Sequence, residues 1–466
     1  MAGAKVGELR DVPGPKSQKL LKSARKRESQ ASIYPVFFGS ELYAPVIAKT
    51  YGPYLEDVDG NQFLDAIGGM ACAVQGFRPE RIVNAVTRQL QSLSFLPEML
   101  SESRVQLVEE LLSVAPGKLK DGKVHFEVSG SSANELALEI AFTYLRSKGR
   151  QGQKVLAFHG DFHGRLLATT AIGGIPTYRN RFPSTLDVVL APFPYPYRCP
   201  MGADEDGCEA ACLAELERIF ESELDPETGE CRIGVAVSEP FQSHVTRIPP
   251  LNFYRKLREL CDEHDVVFID DEVVGFTHTG KWFACEHPGV TPDLIPIGKS
   301  LSCGFFPISA VLMRKEIAQA WEAQPDMHLT TYMGHPVGAT AALENLRSLK
   351  EQNLIARGAE LGDYFLRKLK ALQEKHPLIG FVDGWGFWLE AELVRDRKTK
   401  EPAMQEGAML QRECVKRGLI VDRSLERSAL YFIPALTITL EELDKVADIL
   451  DECLSIVEQA SSKERR

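Results

Sequence analysis

Four short strings in this chain carry residues that could do chemistry together, and each follows an apolar run. Val128-Ser129-Gly130-Ser131-Ser132-Ala133-Asn134-Glu135 ends a strand-like segment in small residues and opens a helix-like one. Backbone N–H groups and the helix dipole at such a junction can cradle a phosphate, with the Ser131 and Ser132 hydroxyls as extra donors. Serine is also the ordinary helix N-cap, so the string alone leaves both roles open. Phe158-His159-Gly160-Asp161-Phe162-His163-Gly164-Arg165 offers an aromatic that can stack on a planar ring and an arginine that can grip a carboxylate. Ile269-Asp270-Asp271-Glu272 sets three carboxylates at the end of an apolar run, which is costly unless they meet a cation. One could hold a protonated heterocyclic nitrogen. A divalent metal is the competing occupant, but no histidine or further carboxylate is spaced to complete its site. Ile297-Gly298-Lys299-Ser300 places a lysine behind a strand. Such a lysine is either a snorkelling surface residue or a desolvated amine, nucleophilic toward a carbonyl.

These strings need a scaffold that brings strand ends together. Strand-like runs occur at Val124–Val128, Val155–Phe158, Val188–Ala191, Gly234–Ser238, Val266–Ile269 and Leu294–Ile297, and helical spacing at 131–145, 212–222, 251–263 and 337–350. The alternation predicts an α/β fold with a mainly parallel central sheet covered on both faces, and ligands at the carboxyl ends of its strands. Upstream, Tyr54–Val58 and Gln62–Asp65 flank Asp59-Gly60-Asn61 as a hairpin, and 79–94 is helical. After about residue 351 the pattern becomes a helix at 352–374, a Gly and aromatic strand stretch at 380–388 and an amphipathic helix at 440–459. The expected division is a flexible arm at 1–30, the N-terminal part of a small domain at 31–90, a large domain at 91–350, and the rest of the small α+β domain at 351–466.

Composition narrows the class. The 466 residues carry a formal charge of -11, which argues against nucleic-acid binding but not against a small anion at a local positive site. No stretch reaches the roughly 20 apolar residues that span a bilayer. The N-terminus lacks the apolar core of a secretory signal, and a cytoplasmic enzyme is expected. Among the 10 cysteines, Cys208 and Cys212 sit four apart with no second pair or histidine to complete a zinc site, so free thiols and no metal are expected.

The four strings, in this order, resemble the class III (ω-type) aminotransferases of pyridoxal-phosphate (PLP) fold type I. Glu56-Asp57-Val58-Asp59-Gly60, Tyr197-Arg198-Cys199-Pro200, Glu239-Pro240-Phe241-Gln242, Thr279-Gly280-Lys281-Trp282 and Thr331-Tyr332-Met333-Gly334-His335-Pro336 extend the resemblance from about Tyr51 to Leu450. It implies a PLP-dependent transaminase, a homodimer with the site at the subunit interface, whose substrates are an amine or amino-acid donor and a keto-acid acceptor. It implies Lys299 as the Schiff-base lysine and proton shuttle, and Asp271 as the partner of the pyridinium nitrogen. Asp270 is the alternative if the string is matched backward from Gly275-Phe276. Gly130 and Ser131 would hold the phosphate, Phe162 would stack on the ring with His163 as a supporting group, and Glu239 and Gln242 would line the pyridine side. Thr331 would reach the neighbouring subunit's phosphate. Arg165 matches a carboxylate-binding position, while Phe77, Tyr431 and the segment 33–45 would form pocket walls. Three positions depart from familiar members. Tyr431 stands where a C-terminal arginine often precedes the Pro-Pro-Leu string, His244 stands for a glutamate that shields the Arg165-type arginine, and Val273 or Val274 for a glutamine near the cofactor's O3′. These departures weaken the case for 2-oxoglutarate and leave a racemase, lyase or decarboxylase of the same family as the alternative.

Overall fold

The computed structural model describes residues 12–29, 45–96, 99–150, 153–244, 247–324, 328–424 and 426–464. All but the last residue of segment 33–45 lies outside them. The chain divides into two compact units, Arg81–Gln352 and Met1–Glu80 with Asn353–Arg466. The helix Glu80–Ser92 thus goes with the larger unit rather than with the small domain as expected. Its polar face explains this: Arg81 Nε donates to Glu344 at 2.7 Å, and Gln89 accepts from the Thr340 hydroxyl at 3.0 Å.

In the larger unit seven strands form one sheet: β1 Lys123–Glu127, β2 Lys154–Phe158, β3 Val188–Ala191, β4 Ile233–Ser238, β5 Val267–Asp270, β6 Leu294–Ile297 and β7 Ser309–Met313. Their spatial order is β1-β7-β6-β5-β4-β2-β3. Pairings from β6 through β5, β4 and β2 to β3 are parallel. Only β7 runs against its neighbours β1 and β6. The sequence reading did not include β7. Its run follows Gly304-Phe305-Phe306-Pro307, and its antiparallel setting breaks the strand–helix rhythm that marked the others. Both faces are buried, with period two: Val155, Val235, Val237 and Ile269 join one core, Leu156, Ala236 and Phe268 the other. Helix Gly130–Ser147 fills the first side; helices Cys208–Ser222 and Leu251–Glu263 fill the second.

The smaller unit is α+β. Strand Gln62–Asp65 pairs with Tyr54–Asp57 on one side and, in parallel, with Leu419–Ile420 on the other, joining N- and C-terminal segments in one sheet. The hairpin turn is held by Asp57 Oδ1, which accepts from Asp59 N at 2.9 Å and Asn61 N at 2.8 Å. A second sheet contains Ile379–Trp385, Trp388–Asp396, Asp422–Arg423 and Ala429–Phe432. Residues Pro15–Arg27, expected as part of a flexible arm, form a helix. The Asp59 carboxylate accepts from Lys16 N and Ser17 N, both at 2.8 Å, and so caps the helix start. Arg25, Lys26 and Arg27 fall in the last turn, where cations suit the dipole. Among the described residues no helix is long and apolar enough to cross a membrane.

Candidate active site

Every string of interest sits just past the carboxyl end of a strand of the large sheet. After β1, Ser129 caps the helix Gly130–Ser147: its hydroxyl accepts from Ser132 N at 3.2 Å while Ser129 N donates to Ser132 Oγ at 3.1 Å. That reciprocal cap engages the Ser132 hydroxyl. Among the described residues the N–H groups of Gly130 and Ser131 have no acceptor, as expected of a helix start. A Cβ on Gly130 would lie 2.6 Å from Val273 Cγ1, and one on Gly298 would lie 3.6 Å from Gly130 Cα. The ends of β1, β5 and β6 therefore meet at a point where a Cβ on Gly130 would force Val273 to shift. Gly164 (φ +131°) runs equally close to Ser131, bringing the 159–165 loop against the same helix start.

Past β5 the two aspartates face different surroundings. Asp271 Oδ2 accepts from Asn134 Nδ2 at 2.7 Å and lies 2.8 Å from His163 Nδ1, and its Oδ1 accepts from Val273 N at 3.0 Å. Asp270 accepts from the Tyr254 hydroxyl and sits with Glu272 and Cys285. Burial, then the Glu272 charge, push the Asp270 carboxyl far up, so it is neutral and turned from the His163 side. His163 is buried, which opposes its charge, yet the neighbouring Asp161 and Asp271 carboxylates outweigh that and raise it to about 10. The stronger partner is Asp271; Asp161 is at 3.5 Å and burial pushes its own carboxyl up. An imidazolium therefore supports Asp271 from behind.

The 159–165 loop is gripped by the string after β4. Glu239 Oε2 accepts from Phe162 N at 2.8 Å, and Oε1 accepts from Ser243 N at 3.0 Å and from the Ser243 hydroxyl. Gln242 Nε2 donates to His159 O at 2.8 Å and Asp161 Oδ1 at 2.7 Å. Both were expected to line a ring; here both are buried and committed to the loop's backbone and Asp161. Burial and the Asp161 charge raise the Glu239 carboxyl to about 8.

On the outer side of that loop Phe162 stacks on His244, centroids 5.2 Å apart. His244 Nε2 lies 3.3 Å from the Tyr178 hydroxyl, and the Arg165 guanidinium lies 4.3 Å from the Tyr178 ring centroid. Burial, then the charges of Arg165 and Lys299, lower His244 to about 4. His244 is neutral near pH 7 and stands close enough to feel both cations. Arg165 is exposed and, among the described residues, has no carboxylate partner.

Lys299 follows β6 with φ +38°, a region a lysine enters only when its surroundings enforce it. They do. Ser300 Oγ donates to Phe276 O at 3.0 Å and accepts from Thr277 Oγ1 at 3.1 Å, and Asn345 Nδ2 donates to Ser300 O at 2.8 Å. The lysine is half-buried, and among the described residues its ammonium has no ion-pair partner.

Thr331 is exposed in the larger unit. Phe77 and Tyr431 belong to the smaller unit, where the Tyr431 hydroxyl donates to Asp422 and its ring stacks on Trp388. Asn134, Asp161 and Tyr178 had no assigned role. Asn134 stands four residues after Gly130 in the helix, a spacing that returns it to the face of the phosphate loop. Tyr178 had no signal in its own string.

The class-III aminotransferase profile matches residues 39–454. The chain belongs to the class-III aminotransferases. Among its relatives, the putrescine–pyruvate aminotransferase of Pseudomonas aeruginosa is 34% identical over 428 residues, covering 89% of this chain and 91% of the relative. The leucine/methionine racemase of Thermococcus litoralis is 32% identical over 426 residues, covering 90% and 92%. An (S)-enantioselective ω-transaminase from Thermomicrobium roseum superposes with TM-score 0.85 at 28% identity, over 94% of this chain and 98% of that one. This aminotransferase has PLP fold type I and uses pyridoxal 5′-phosphate. The residues present suit that group: a glycine-walled helix start for a phosphate, a carboxylate with a buried imidazolium behind it for a ring nitrogen, and an amine without a counter-ion.

Proposed function

We propose that this aminotransferase works through Lys299 and Asp271, moving an amino group from an amine or amino acid, ω-amino donors included, to a keto acid. The meeting of Gly130, Val273 and Gly298 supports this above all, because it sets the lysine, the carboxylate and the helix start around one point. Bound PLP supplies an aldehyde that accepts amines and a ring that draws electrons from the substrate carbon. The N–H groups of Gly130 and Ser131 would take the phosphate. Phe162 would stack on the ring. Asp271 keeps the ring nitrogen protonated, while Asn134 and His163 fix its Oδ2. Lys299 Nζ would carry the proton from the substrate carbon to the cofactor's C4′, the shift that amino transfer requires. Glu239 and Gln242 hold the loop that carries Phe162.

Arg165, spread over Tyr178, would take the substrate carboxylate. Tyr431 in place of an arginine and neutral His244 in place of a glutamate favour pyruvate over 2-oxoglutarate as acceptor, in keeping with the putrescine–pyruvate relative. Phe77 and Tyr431 are proposed as pocket walls. A homodimer is also proposed: exposed Thr331 lies beside exposed Leu329 and Tyr332, and Tyr332 packs on exposed Phe95 at 5.3 Å, an apolar surface suited to a second copy. The cytoplasm is the compartment we propose for it.

The decisive experiment offers a panel of amines with pyruvate or 2-oxoglutarate and follows the cofactor spectrum. Conversion to the pyridoxamine form by an amine donor, reversed by pyruvate, is expected; spectral binding of every amine without conversion would sink the proposal. The identity to a racemase supports a second function. Chiral analysis of one amino acid incubated without keto acid separates the two, since only a racemase changes its handedness.

A further inference from the structure

Cys199, Cys208 and Cys212 come together on the far side of the large sheet's edge strand. Their sulfur atoms lie within 4.8 Å of one another. Cys208 and Cys212 are buried on successive turns at the start of helix Cys208–Ser222; Cys199 is half-buried at the end of the short turn Pro196–Arg198. Taken from sequence, Cys208 and Cys212 lacked partners, because the third thiol is supplied by the loop after β3.

We propose that Cys199, Cys208 and Cys212 bind a thiophilic divalent cation, of which Zn²⁺ is the type, as a structural site. Three observations carry this. Three sulfurs are already gathered, and a tetrahedral site with Zn–S of ~2.3 Å needs them about 3.8 Å apart, a change within reach of side-chain rotation. Cys199-Pro200-Met201-Gly202 forms a tight turn, closed by Gly202 N donating to Cys199 O at 3.1 Å with Gly202 at φ +74°. The N–H groups of Met201 and Ala203 point at the Cys199 sulfur. Such N–H donors are what a metal-bound thiolate requires around it.

On binding, three S–H protons leave to solvent and three S–M bonds form, so the centre carries one net negative charge with a solvent molecule as fourth ligand. A disulfide suits the cluster less well. Cys208 and Cys212 are one turn apart, with Cβ atoms about 5–6 Å apart against the ~3.8 Å of a disulfide, and any bridge to Cys199 strands the third thiol.

The site would tie the segment after β3 to helix Cys208–Ser222. That segment carries Tyr195, whose ring lies 5.7 Å from the Arg247 guanidinium, and Arg247 Nη1 donates to His159 O at 3.4 Å. A metal here would thus steady the loop of Phe162 from outside the catalytic residues.

The test uses the full-length chain made in zinc-supplemented medium and stripped of loosely held metal. Elemental analysis should find about one zinc per chain, retained in the control Cys453→Ser and reduced tenfold or more in Cys199→Ser and Cys212→Ser. Cobalt(II) in place of zinc in the unmutated chain should give thiolate-to-cobalt charge transfer of three-sulfur intensity, which keeps the test open if a serine variant fails to fold. An unmutated chain that takes up neither zinc nor cobalt, or peptide mapping that finds Cys199 disulfide-linked to Cys208 or Cys212, overturns the proposal.

Discussion

Replacing His163 by leucine should destabilise the larger unit, and most strongly in mildly acidic solution. His163 sits between Asp271 at 2.8 Å and Asp161 at 3.5 Å with a value of about 10. Its ordinary value is about 6.5, and a difference of roughly 3.5 units is worth about 5 kcal/mol of preference for the folded imidazolium. Desolvation of a buried pair brings the expected loss to about 3–5 kcal/mol. The sign follows from proton counts. Below pH 6.5 folded and unfolded chains both hold the proton, and the full stabilisation is present. Between 6.5 and about 10 only the folded state holds it, so stability falls by about 1.4 kcal/mol per pH unit until the contribution is gone. Glu239, raised to about 8, is itself held down by the His163 charge, so the two groups titrate together and share the change across this range. Melting curves of the two proteins from pH 6.5 to 10 provide the measurement. At about 2 °C per kcal/mol for a unit of this size, the gap should be roughly 6–10 °C at pH 6.5 and shrink toward the ~1 kcal/mol of a neutral hydrogen bond at pH 10. A gap that stays constant across that range would refute the imidazolium bridge.

Other outcomes follow from the same site. Lys299→Ala should lower turnover by about 10⁴ or more, and the cofactor should separate from the protein on gel filtration. Asp271→Asn should cut kcat by about 10²–10³, whereas Asp270→Asn, which replaces a carboxyl already held neutral, should stay within about threefold of the parent; the reverse ranking would reassign the ring-nitrogen partner. Gly130→Ala sets a Cβ 2.6 Å from Val273 Cγ1, so cofactor retention should weaken, and adding Val273→Ala should restore part of it in a dialysis assay. His244, near 4 when folded and about 6.5 when unfolded, binds fewer protons in the fold, so stability should rise with pH through that window by up to about 3 kcal/mol. Acid denaturation of His244→Gln should show a shallower rise.

Much of this arrangement was legible in the sequence because strand ends and their following residues are local features. Val188–Ala191 and Leu294–Ile297 matched their expected bounds, and the helix at 251–263 did as well. What was not legible depends on distant partners. The charge of His163 requires Asp161 and Asp271 together, and the reading of Asp271 ahead of Asp270, already favoured in the sequence, gains support from Tyr254, which draws Asp270 to the other side. Glu239 and Gln242 sit in the expected string, yet their side chains turn to backbone groups of a loop some eighty residues earlier. The basic segment Pro15–Arg27 gave a composition signal for a loose arm, and its cap, Asp59, lies in the hairpin turn. Tyr178, well beyond the Arg165 string and in a separate short helix, became relevant only through its ring.

The parallel pairing of Leu64 with Leu419 sets an order of assembly. All of Arg81–Gln352 lies between those two strands in the chain, and it is continuous. As the polypeptide leaves the ribosome, the larger unit has every residue it needs while the hairpin Tyr54–Asp65 still waits for its last neighbour. Synthesis from the N-terminus lets domains fold as they are completed. The larger unit is therefore complete early, and Gln62–Asp65, an interior strand only once Leu419–Ile420 has paired with it, is the one whose protection depends on the final stretch of translation, the point at which premature termination would leave a sheet edge open to pairing with another chain.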